Sequence, residues 1–559
     1  MNLKRKVITS IATVGLLISG GVAYNVLAEE QPSFFQYKGG HLNVSQVGQY
    51  DSGAGEGGTE ILAYDENLNR AFVTNGAESA LDILSFKGLK SGKYNTIESS
   101  KRVYLKDFGI ENVDDITSVA SHPTKDVIAL SVVSDPKTDP GFVVLLTKDG
   151  EYLTKVQVGA LPDMVTFTPD GTKLLSANEG EPNDDYSVDP EGSISIIDLT
   201  TVLDQEDVTS ESLKDLTART LTFEGVHLDE NVRVNSKGST LQQLEPEYIT
   251  VSDDSKRAYV TLQENNAIAT VNLETNTIID VKGLGVKDHS LPGNELDGKR
   301  DGQTKIERLP LLGFYMPDAI DNFTVGNKNY IVTANEGDAR DYDAYSEEAS
   351  IKDIADRIQL NADHYGGYNQ KQLDRLVEKG LLDELAKTNI TLENGLNDEG
   401  KYEALYSYGG RSFSIFDAET MELVYDSGND FEEITAMALP DYFNTTNDEI
   451  AYDKRSSAKG PEPETAITGE INGITYGFIA LERTSGVMVY DVSKPKKPKF
   501  VTFISSRDFS EDVKGDVSPE GLHFIPAETS PTGKALLAAT HEVSGTVAVY
   551  EFDTKKGRK

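Results

Sequence analysis

The chain contains two copies of one motif, and both copies preserve acidic residues as well as apolar ones. The fuller copy runs from Met316 to Tyr342 and the weaker copy from Leu161 to Glu181. Each copy has a Pro-Asp pair near its start. In each copy a short strand-like run ends with Ala-Asn-Glu-Gly. Packing explains repeated apolar residues but does not explain repeated carboxylates. Internal repeats therefore constrain the fold of this chain more than any other feature.

Related units recur along the whole chain, each with three or four β-type runs separated by polar turns. Seven such units start at residues 58, 115, 162, 246, 317, 463 and 519. Consecutive units of short antiparallel strands predict an all-β fold, namely a seven-bladed β-propeller over residues 40–553. The last unit ends after its third strand, and residues 42–48 resemble a fourth strand. We therefore predict that this N-terminal strand closes the ring and removes its exposed edge.

The fifth unit carries an insertion between its second and third strands. Residues 345–408 show helical periodicity, because apolar residues recur three or four positions apart at Leu373, Leu376, Val377 and Leu381. The pattern predicts two or three helices, which form a small helical insertion in blade five. The insertion follows an acidic loop directly, so we expect it to cover the end of the ring where that loop lies.

Each unit has one acid at the start of its first strand and another at the exit of its second strand. The first set is Glu60, Asp115, Asp163, Glu247, Asp318, Glu464 and Glu520. The second set is Glu78, Asp135, Glu179, Glu264, Glu336, Glu482 and Glu542. The start of one strand and the end of its antiparallel neighbour lie at the same end of a hairpin. Both sets are therefore expected at one mouth of the central channel.

So many carboxylates near one axis repel one another, and burial strengthens the repulsion. The ring needs protons, basic neighbours or bound cations, and hard cations such as Ca²⁺ take several carboxylate and carbonyl oxygens. We predict a divalent metal site, with calcium as the metal. The predicted metal ligands are Glu60, Asp163, Glu179, Glu247, Glu264, Asp318, Glu336, Glu464, Glu482, Glu520 and Glu542. Any one of these acids, taken alone, is also explained as the cap of a turn.

Two arginines and an Asp-His pair can add chemistry to this mouth. Arg340 and Arg483 follow acids of the second set and can hold a phosphate group. Asp288 and His289 can bind a metal or move a proton, although a lone histidine is more often a structural hydrogen-bonding residue. These four are the predicted catalytic residues. The sequence contains no Walker loop, no His-Glu-x-x-His motif and no cysteine nucleophile.

The first 28 residues have the features of a secretory signal peptide. A basic stretch at Lys4–Lys6 precedes a mostly apolar run, and Val26–Ala28 fits a cleavage site for small residues. No later run is apolar enough to span a bilayer, so we expect no transmembrane anchor. The mature chain is expected to be secreted, either extracellular or associated with the cell wall. Since cysteine is absent, disulfide bonds do not stabilise it.

The chain is strongly acidic, with a net charge of −39, which becomes −42 once the three basic residues of the signal are removed. Nucleic-acid binding needs a basic face, so the charge excludes nucleic acid as a partner. The charge indicates either cation binding by clustered oxygens or solubility through self-repulsion. The expected partners are a small-molecule phosphate ester or an extracellular surface ligand, and we expect a monomer.

Several motifs, taken together, are similar to those of one family. They are Pro-Asp-Ala-Ile at 317–320, the acidic run at 334–342, Gly-Arg-Ser-Phe-Ser-Ile at 410–415, Gly-Pro-Glu-Pro-Glu at 460–464 and Glu-Val-Ser-Gly-Thr at 542–546. With these motifs the chain resembles the choice-of-anchor I domain family, and with it the mesenchyme-specific cell-surface glycoproteins and bacterial alkaline-phosphatase-like proteins. The resemblance implies an exported propeller whose members differ in how they attach to the surface. Residues 453–459 depart from the Asp-rich stretch of the family pattern.

Two functions follow from these observations and remain open at this point. In the first, the chain is a metal-dependent phosphatase or phosphodiesterase, whose cation polarises a phosphoryl oxygen and orients an attacking water. In the second, it is a non-catalytic extracellular module whose acidic mouth binds calcium, mineral or a cell-surface ligand. Metal content and ester turnover separate the two hypotheses.

Overall fold

The computed structural model describes residues 33–203, 205 and 207–554. The predicted signal peptide at 1–28 lies outside the described residues. Within them strands dominate and helices are few and short, so the fold is all-β, as the sequence predicts. None of the helices in these ranges combines the length and the apolar character needed to cross a bilayer.

Seven sheets of four or five strands follow one another along the described chain. The first sheet contains Leu62–Asp65, Arg70–Asn75, Ala80–Ser85 and Ser99–Tyr104. The second contains Ser118–Ser121, Ile128–Val132, Pro140–Leu146 and Tyr152–Ala160. The third contains Pro162–Phe167, Lys173–Asn178, Ser193–Asp198 and Ala218–Leu221. The fourth contains Ile249–Val251, Arg257–Leu262, Ala267–Asn272 and Thr277–Gly283, with the short parallel strand His227–Leu228 at its edge.

The remaining three sheets complete the series. The fifth contains Ile320–Val325, Lys328–Asn335, Ser412–Asp417 and Leu423–Asp426. The sixth contains Pro463–Ile471, Ile474–Leu481, Gly486–Asp491 and Lys499–Ser505, with Phe35–Lys38 at its edge. The seventh contains Pro519–Ile525, Leu536–His541 and Thr546–Thr554, and its fourth strand is Leu42–Asp51 from the other end of the described chain.

The first strand of each sheet contacts the first strand of the next sheet. The series returns to its start, because Pro519–Ile525 of the seventh sheet contacts Leu62–Asp65 of the first. An apolar cluster also fills each interface between neighbouring sheets, including the interface between the seventh and the first. In the absence of cysteine, this burial of apolar surface is the main stabilising contribution to the fold.

Strand Leu42–Asp51 pairs antiparallel with Thr546–Thr554, from Leu42 opposite Thr554 to Asp51 opposite Thr546. Its apolar side chains enter the clusters on both sides of the seventh sheet, since Val44 packs towards the sixth sheet and Val47 towards the first. The strand is thus held by a long antiparallel pairing, interrupted by one irregularity between Gln46 and Gly48, and by two apolar interfaces.

The segment between Lys328–Asn335 and Ser412–Asp417 contains both helices and short strands. Its helices are Ile351–Ile354, Gln370–Glu378 and Leu381–Glu384, with 3₁₀ turns at Ala355–Arg357 and Ala362–His364. Its strands are Asp341–Tyr342, Tyr345–Ser346, Glu348–Ser350, Asn389–Thr391 and Tyr406–Ser407. The segment has its own apolar cluster, which it shares with the connection between the fourth and fifth sheets.

Few other elements lie outside the seven sheets in the described ranges. The connection between the fourth and fifth sheets contributes Val286–Asp288 and Leu312–Phe314, which form a small sheet with Tyr406–Ser407. The other helices are Thr200–Leu203, Ser210–Leu213 and Asp430–Ala438, with 3₁₀ turns at Gly76–Glu78 and Leu105–Phe108. None of them contributes a strand to the ring of contacts, so the sheets alone position the acids at its mouth.

Candidate metal centre

Four sheets begin with a proline and an acid that follow a residue in left-handed backbone conformation. The preceding residues are Leu161, Met316, Glu462 and Ser518, with φ of 46°, 48°, 52° and 68°. A residue other than glycine in the left-handed backbone conformation costs about 1–2 kcal/mol. Because the same unfavourable backbone recurs at equivalent positions, it serves to fix the direction of each Pro-acid pair.

A cavity of about 400 Å³ lies where these Pro-acid pairs meet. Eight of the predicted metal ligands line it, namely Glu60, Asp163, Asp318, Glu336, Glu464, Glu482, Glu520 and Glu542. Asp338 is a further acid in the lining, and the cationic side chains there are Lys459 and Arg483. The repeat therefore gathers carboxylates from both predicted sets around one space.

The other three predicted ligands form a compact group beside this cavity. One carboxylate oxygen from each of Glu179, Glu247 and Glu264 lies within 4.8 Å of the others. The charges of Asp318 and Asp163 act on Glu247, so the group and the cavity share one electrostatic environment. One oxygen of Glu247 and one of Glu264 are buried and accept no hydrogen bond among the described residues.

Burial raises the pKa of the carboxyl groups at this mouth. Loss of solvation, with added repulsion from neighbouring acids, raises the pKa of Glu60 to about 9 and that of Glu482 to about 8. The same cause raises the pKa values of Asp163 and Glu336 to about 7. The pKa values of Glu464 and Glu520 are raised further above the ordinary range. Protons or cations must therefore compensate these groups at neutral pH.

Glu462 is buried in the same region but differs from its neighbours. Although burial acts to raise its pKa, the charges of Lys459, Arg455 and Arg483 lower that pKa to about 2. Lys459 Nζ lies 2.5 Å from Glu336 Oε1 and 3.5 Å from Glu462 Oε2. Sequence reasoning omitted Glu462 and Lys459, although the two acids of the Gly-Pro-Glu-Pro-Glu motif were a signal that could have identified Glu462.

Among the predicted catalytic residues, Arg483 lines the cavity and Arg340 does not. Arg483 Nε lies 2.9 Å from Glu462 Oε2 and 3.0 Å from Glu482 Oε2, so its charge is already matched. Arg340 is buried, forms an ion pair with Glu245 and donates to the carbonyl oxygen of Gln243 at 2.8 Å. Its guanidinium therefore stabilises the acidic group beside the cavity and is not available to a phosphate in the cavity itself.

Asp288 and His289 lie away from the acidic cavity, at the small sheet beside the insertion. Asp288 accepts hydrogen bonds from the backbone N–H of Gly366 at 2.7 Å and from Ser290 at 2.9 Å. His289 Nδ1 is 2.7 Å from the carbonyl oxygen of Asn294, and burial lowers the pKa of this histidine to about 3. His289 Nε2 is buried and forms no hydrogen bond among the described residues, and neither Asp288 nor His289 lines the cavity.

Some acids of the two predicted sets do not line the cavity. Glu78 forms an ion pair with Arg102 at 2.8 Å and Asp135 is exposed, and neither lines the cavity. Asp115 lies beside Glu60 and contributes to raising the pKa of that residue. The first two sheets therefore supply fewer acids to the cavity than their sequence spacing suggests.

Two characterised relatives match part of the chain. It is 30% identical to Gigasin-3a of Magallana gigas over 181 residues, which are 30% of this chain and 64% of that protein. It is 28% identical to a mesenchyme-specific cell surface glycoprotein of Strongylocentrotus purpuratus over 335 residues, which are 55% of this chain and 40% of that protein. The matched part thus spans less than two thirds of the length of either relative.

Similar solved structures include β-propeller and WD40 domains. Kuenenia stuttgartiensis hydrazine synthase has a TM-score of 0.44 at 10% identity, covering 89% of this chain and 97% of that chain. The Cps50 (Swd1) β-propeller domain of Myceliophteria thermophila has a TM-score of 0.40 at 8% identity, covering 91% of this chain and 98% of that chain. The WD40 domain of Toxoplasma gondii coronin has a TM-score of 0.42 at 8% identity, covering 94% of this chain and 90% of that chain. These similarities say nothing about activity.

The family expected from the sequence motifs is confirmed by a direct match. The sequence profile of the choice-of-anchor I domain matches residues 60–495, which is more than half of the chain. The matched range begins at Glu60 and includes Asp318, Glu336 and the Gly-Pro-Glu-Pro-Glu motif that contributes to the acidic mouth. The chain belongs to the choice-of-anchor I domain family.

Proposed function

We propose that this chain is an extracellular, seven-bladed β-propeller that binds a divalent cation, calcium, at its acidic mouth and acts as a binding module. One observation carries the proposal: carboxylates from both repeated sets gather at one mouth. Eight of them line a cavity of about 400 Å³, where Lys459 and Arg483 are the cations, and Glu179, Glu247 and Glu264 form a compact group beside it. Acids with pKa values raised by burial become fully ionised at neutral pH only when a cation compensates them.

The ring of contacts between the first strands of the sheets supports a closed propeller. The pairing of Leu42–Asp51 with Thr546–Thr554 supports closure by the N-terminal strand. Closure leaves no open edge in the ring, and this suits a protein without disulfide bonds. Membership of the choice-of-anchor I family and the signal-like segment at 1–28 support an extracellular or cell-wall location.

The choice of calcium follows from the donor atoms. The residues that line the described cavity offer carboxylate, hydroxyl and carbonyl oxygens but neither histidine nor cysteine. Hard cations prefer oxygen ligands, whereas zinc and other transition metals favour nitrogen and sulfur. A bound calcium ion with open coordination positions can bridge the protein to an anionic partner, such as a mineral face or a cell-surface ligand.

A metal-dependent phosphoesterase is the second candidate, and Arg483 in the cavity is the observation that favours it. A phosphate held by Arg483 next to a bound cation would resemble other metal-assisted ester hydrolases. However, Arg483 is already paired with Glu462 and Glu482, and Asp288 and His289 lie elsewhere. The geometry therefore favours binding over catalysis.

Metal analysis of the purified protein, combined with ester assays, tests both functions. We expect calcium to be retained through dialysis at 0.15 M salt, to be removed by a chelator, and to be accompanied by no turnover of phosphomonoesters or phosphodiesters. A double variant at exposed acids, Glu274→Gln with Glu470→Gln, controls for loose surface binding and should keep the calcium. Turnover that disappears with the chelator would favour the phosphoesterase, and a protein that takes up no divalent cation would contradict both functions.

A further inference from the structure

Three groups of carboxylates at the mouth have the spacing of a cation site. One of them, Asp318, Glu336 and Glu464, shares Glu336 with a second group, and its Asp318 and Glu464 are hydrogen-bonded to each other. We call Glu336, Glu462 and Glu482 the lysine-side cluster, and Glu179, Glu247 and Glu264 the open cluster. In each, one oxygen per residue lies within 4.8 Å of the others. Oxygens bound to one calcium ion at 2.3–2.6 Å are at most about 5 Å apart, so both clusters match that size.

The lysine-side cluster already contains a cation of its own. The Lys459 side chain is only 15% exposed, and its Nζ lies 2.5 Å from Glu336 and 3.5 Å from Glu462. Arg455 Nε donates to Glu462 at 2.6 Å, and Arg483 Nε contacts both Glu462 and Glu482. Three cationic side chains thus neutralise three carboxylates, and a divalent cation would gain little there.

The open cluster lacks such a cation. Glu247 and Glu264 are 8% and 6% exposed, and one buried oxygen on each accepts no hydrogen bond in the described structure. Arg340 is the cation that acts on Glu264, but only its Nη2 is paired, with Glu245 and the carbonyl oxygen of Gln243, whereas its buried Nε and Nη1 form no hydrogen bond among the described residues. An ionised carboxylate without a partner is costly to bury, and unpaired oxygens mark a place where a ligand is missing from the contacts.

We infer that the open cluster is the site of the divalent cation, whereas the ammonium group of Lys459 takes the place of a second cation at the lysine-side cluster. The inference rests on the proposed cation-binding function and specifies its location and stoichiometry. The protein should bind one calcium ion tightly, although three groups of carboxylates have the right spacing.

Calcium titration of matched glutamine variants tests the location. Glu247→Gln with Glu264→Gln should weaken calcium binding by about tenfold or more, because the cation loses two charged ligands. Glu336→Gln should weaken calcium binding by far less than the open-cluster variant, because Lys459 is the counter-ion of that group. Glu274→Gln, at an exposed acid of the fourth sheet, is the control for a neutral change. Isothermal titration at 0.15 M salt suppresses loose surface binding.

Substitution of the lysine tests the second half of the inference. In Lys459→Met, the uncompensated lysine-side cluster should accept calcium, so the bound metal should rise from one ion per chain to two. Lys459→Arg keeps the charge and should stay at one ion. Lys454→Met is the control, because Lys454 lies in the same segment and pairs with Glu449 outside the cavity. If Lys459→Met does not fold, the glutamine variants, which keep the volume of each side chain, still decide the location.

Each outcome is decisive. Loss of calcium in Glu336→Gln, alone or together with loss in the open-cluster variant, would overturn the inference while the proposed function would stand. Calcium retained in the open-cluster variant would place the ion elsewhere and would also overturn it. A wild-type protein that binds no divalent cation would overturn the proposed function itself.

Discussion

Glu462 shows how this protein tolerates a fully buried carboxylate. Its side chain is 0% exposed, and Arg455, Lys459 and Arg483 all contact it. The residue itself has a left-handed φ of 52°, immediately before the Pro-Glu pair of the sixth sheet. Backbone strain and charge pairing meet at this position, so a change there affects both the direction of the strand and the charge balance of the mouth.

The variant Glu462→Gln should lower the free energy of unfolding by about 3–5 kcal/mol, because it removes the charge of a fully buried acid and leaves three half-buried cations without their common partner. Urea unfolding followed by circular dichroism measures the change. Glu470→Gln, at an exposed position of the same strand, should change stability by less than about 0.5 kcal/mol. Equal stability of the two variants would show that the ion-pair network around Glu462 contributes little.

The acids of the mouth could be predicted residue by residue, but their cations could not. A Pro-acid pair at a strand start is a local pattern, so Asp163, Asp318 and Glu520 were found from sequence. Lys459 contacts Glu336 across 123 positions of the chain, and no spacing rule connects the two. The pair Asp288 and His289 was predicted from adjacency in sequence; it stays a prediction, since the fold places the pair outside the lining of the cavity, where both residues make hydrogen bonds.

At the scale of strands, Leu42–Asp51 has far more influence than its ten residues suggest. It covers the edge of Thr546–Thr554 and supplies apolar side chains to two interfaces. By contrast, Phe35–Lys38 adds only a short edge strand to the sixth sheet. Two neighbouring segments that pair with different sheets thus provide a comparison by deletion.

A mature chain that begins at residue 52 should be much less stable than one that begins at residue 40. Each buried apolar side chain lost with Leu42–Asp51 contributes about 1.5–3 kcal/mol, and an open strand edge favours aggregation. Thermal unfolding and soluble yield are the measurements. Deletion up to residue 39 alone should lower the midpoint by only a few degrees. Similar midpoints for both deletions would mean that the N-terminal strand does not hold the ring together.

The strands themselves were predictable because β-type runs and turn residues alternate so regularly. The sequence located the first strands of the sheets and the position of the insertion between Lys328–Asn335 and Ser412–Asp417. It did not show that the insertion mixes short strands with its helices. Those strands are two or three residues long, and such lengths carry no periodicity that sequence reasoning can detect.

For the molecule as a whole, the acidic mouth ties stability to pH and to metal. The folded-state pKa values of Glu60, Glu482, Asp163 and Glu336 lie between about 7 and about 9, above the ordinary range for unfolded chains. In this window the folded state binds more protons than the unfolded state, so stability falls as pH rises. The pKa values of the buried histidines are lowered, so above about pH 6.5 these residues are neutral in the folded and in the unfolded chain. They therefore do not offset the fall in stability.

In the presence of a chelator, the free energy of unfolding should therefore decrease by about 1–3 kcal/mol between pH 7 and pH 9. Calcium should reduce this decrease, because a bound cation favours the ionised carboxylates. Thermal unfolding at pH 7, 8 and 9, with chelator and with excess calcium, gives both curves. A chelated protein whose stability is constant or rises over this range would contradict the raised pKa values at the mouth.

The contact between Leu42 and Thr554 also has a kinetic consequence. These residues belong to neighbouring strands although almost the entire described chain separates them, so the seventh sheet has the highest contact order in the fold. During synthesis Leu42–Asp51 leaves the ribosome long before its partner strand Thr546–Thr554 exists. It stays unpaired while the other six sheets can already form. The slowest folding step is then the return of the chain to its own beginning, and until that step every partly made molecule presents two unpaired edges to its neighbours.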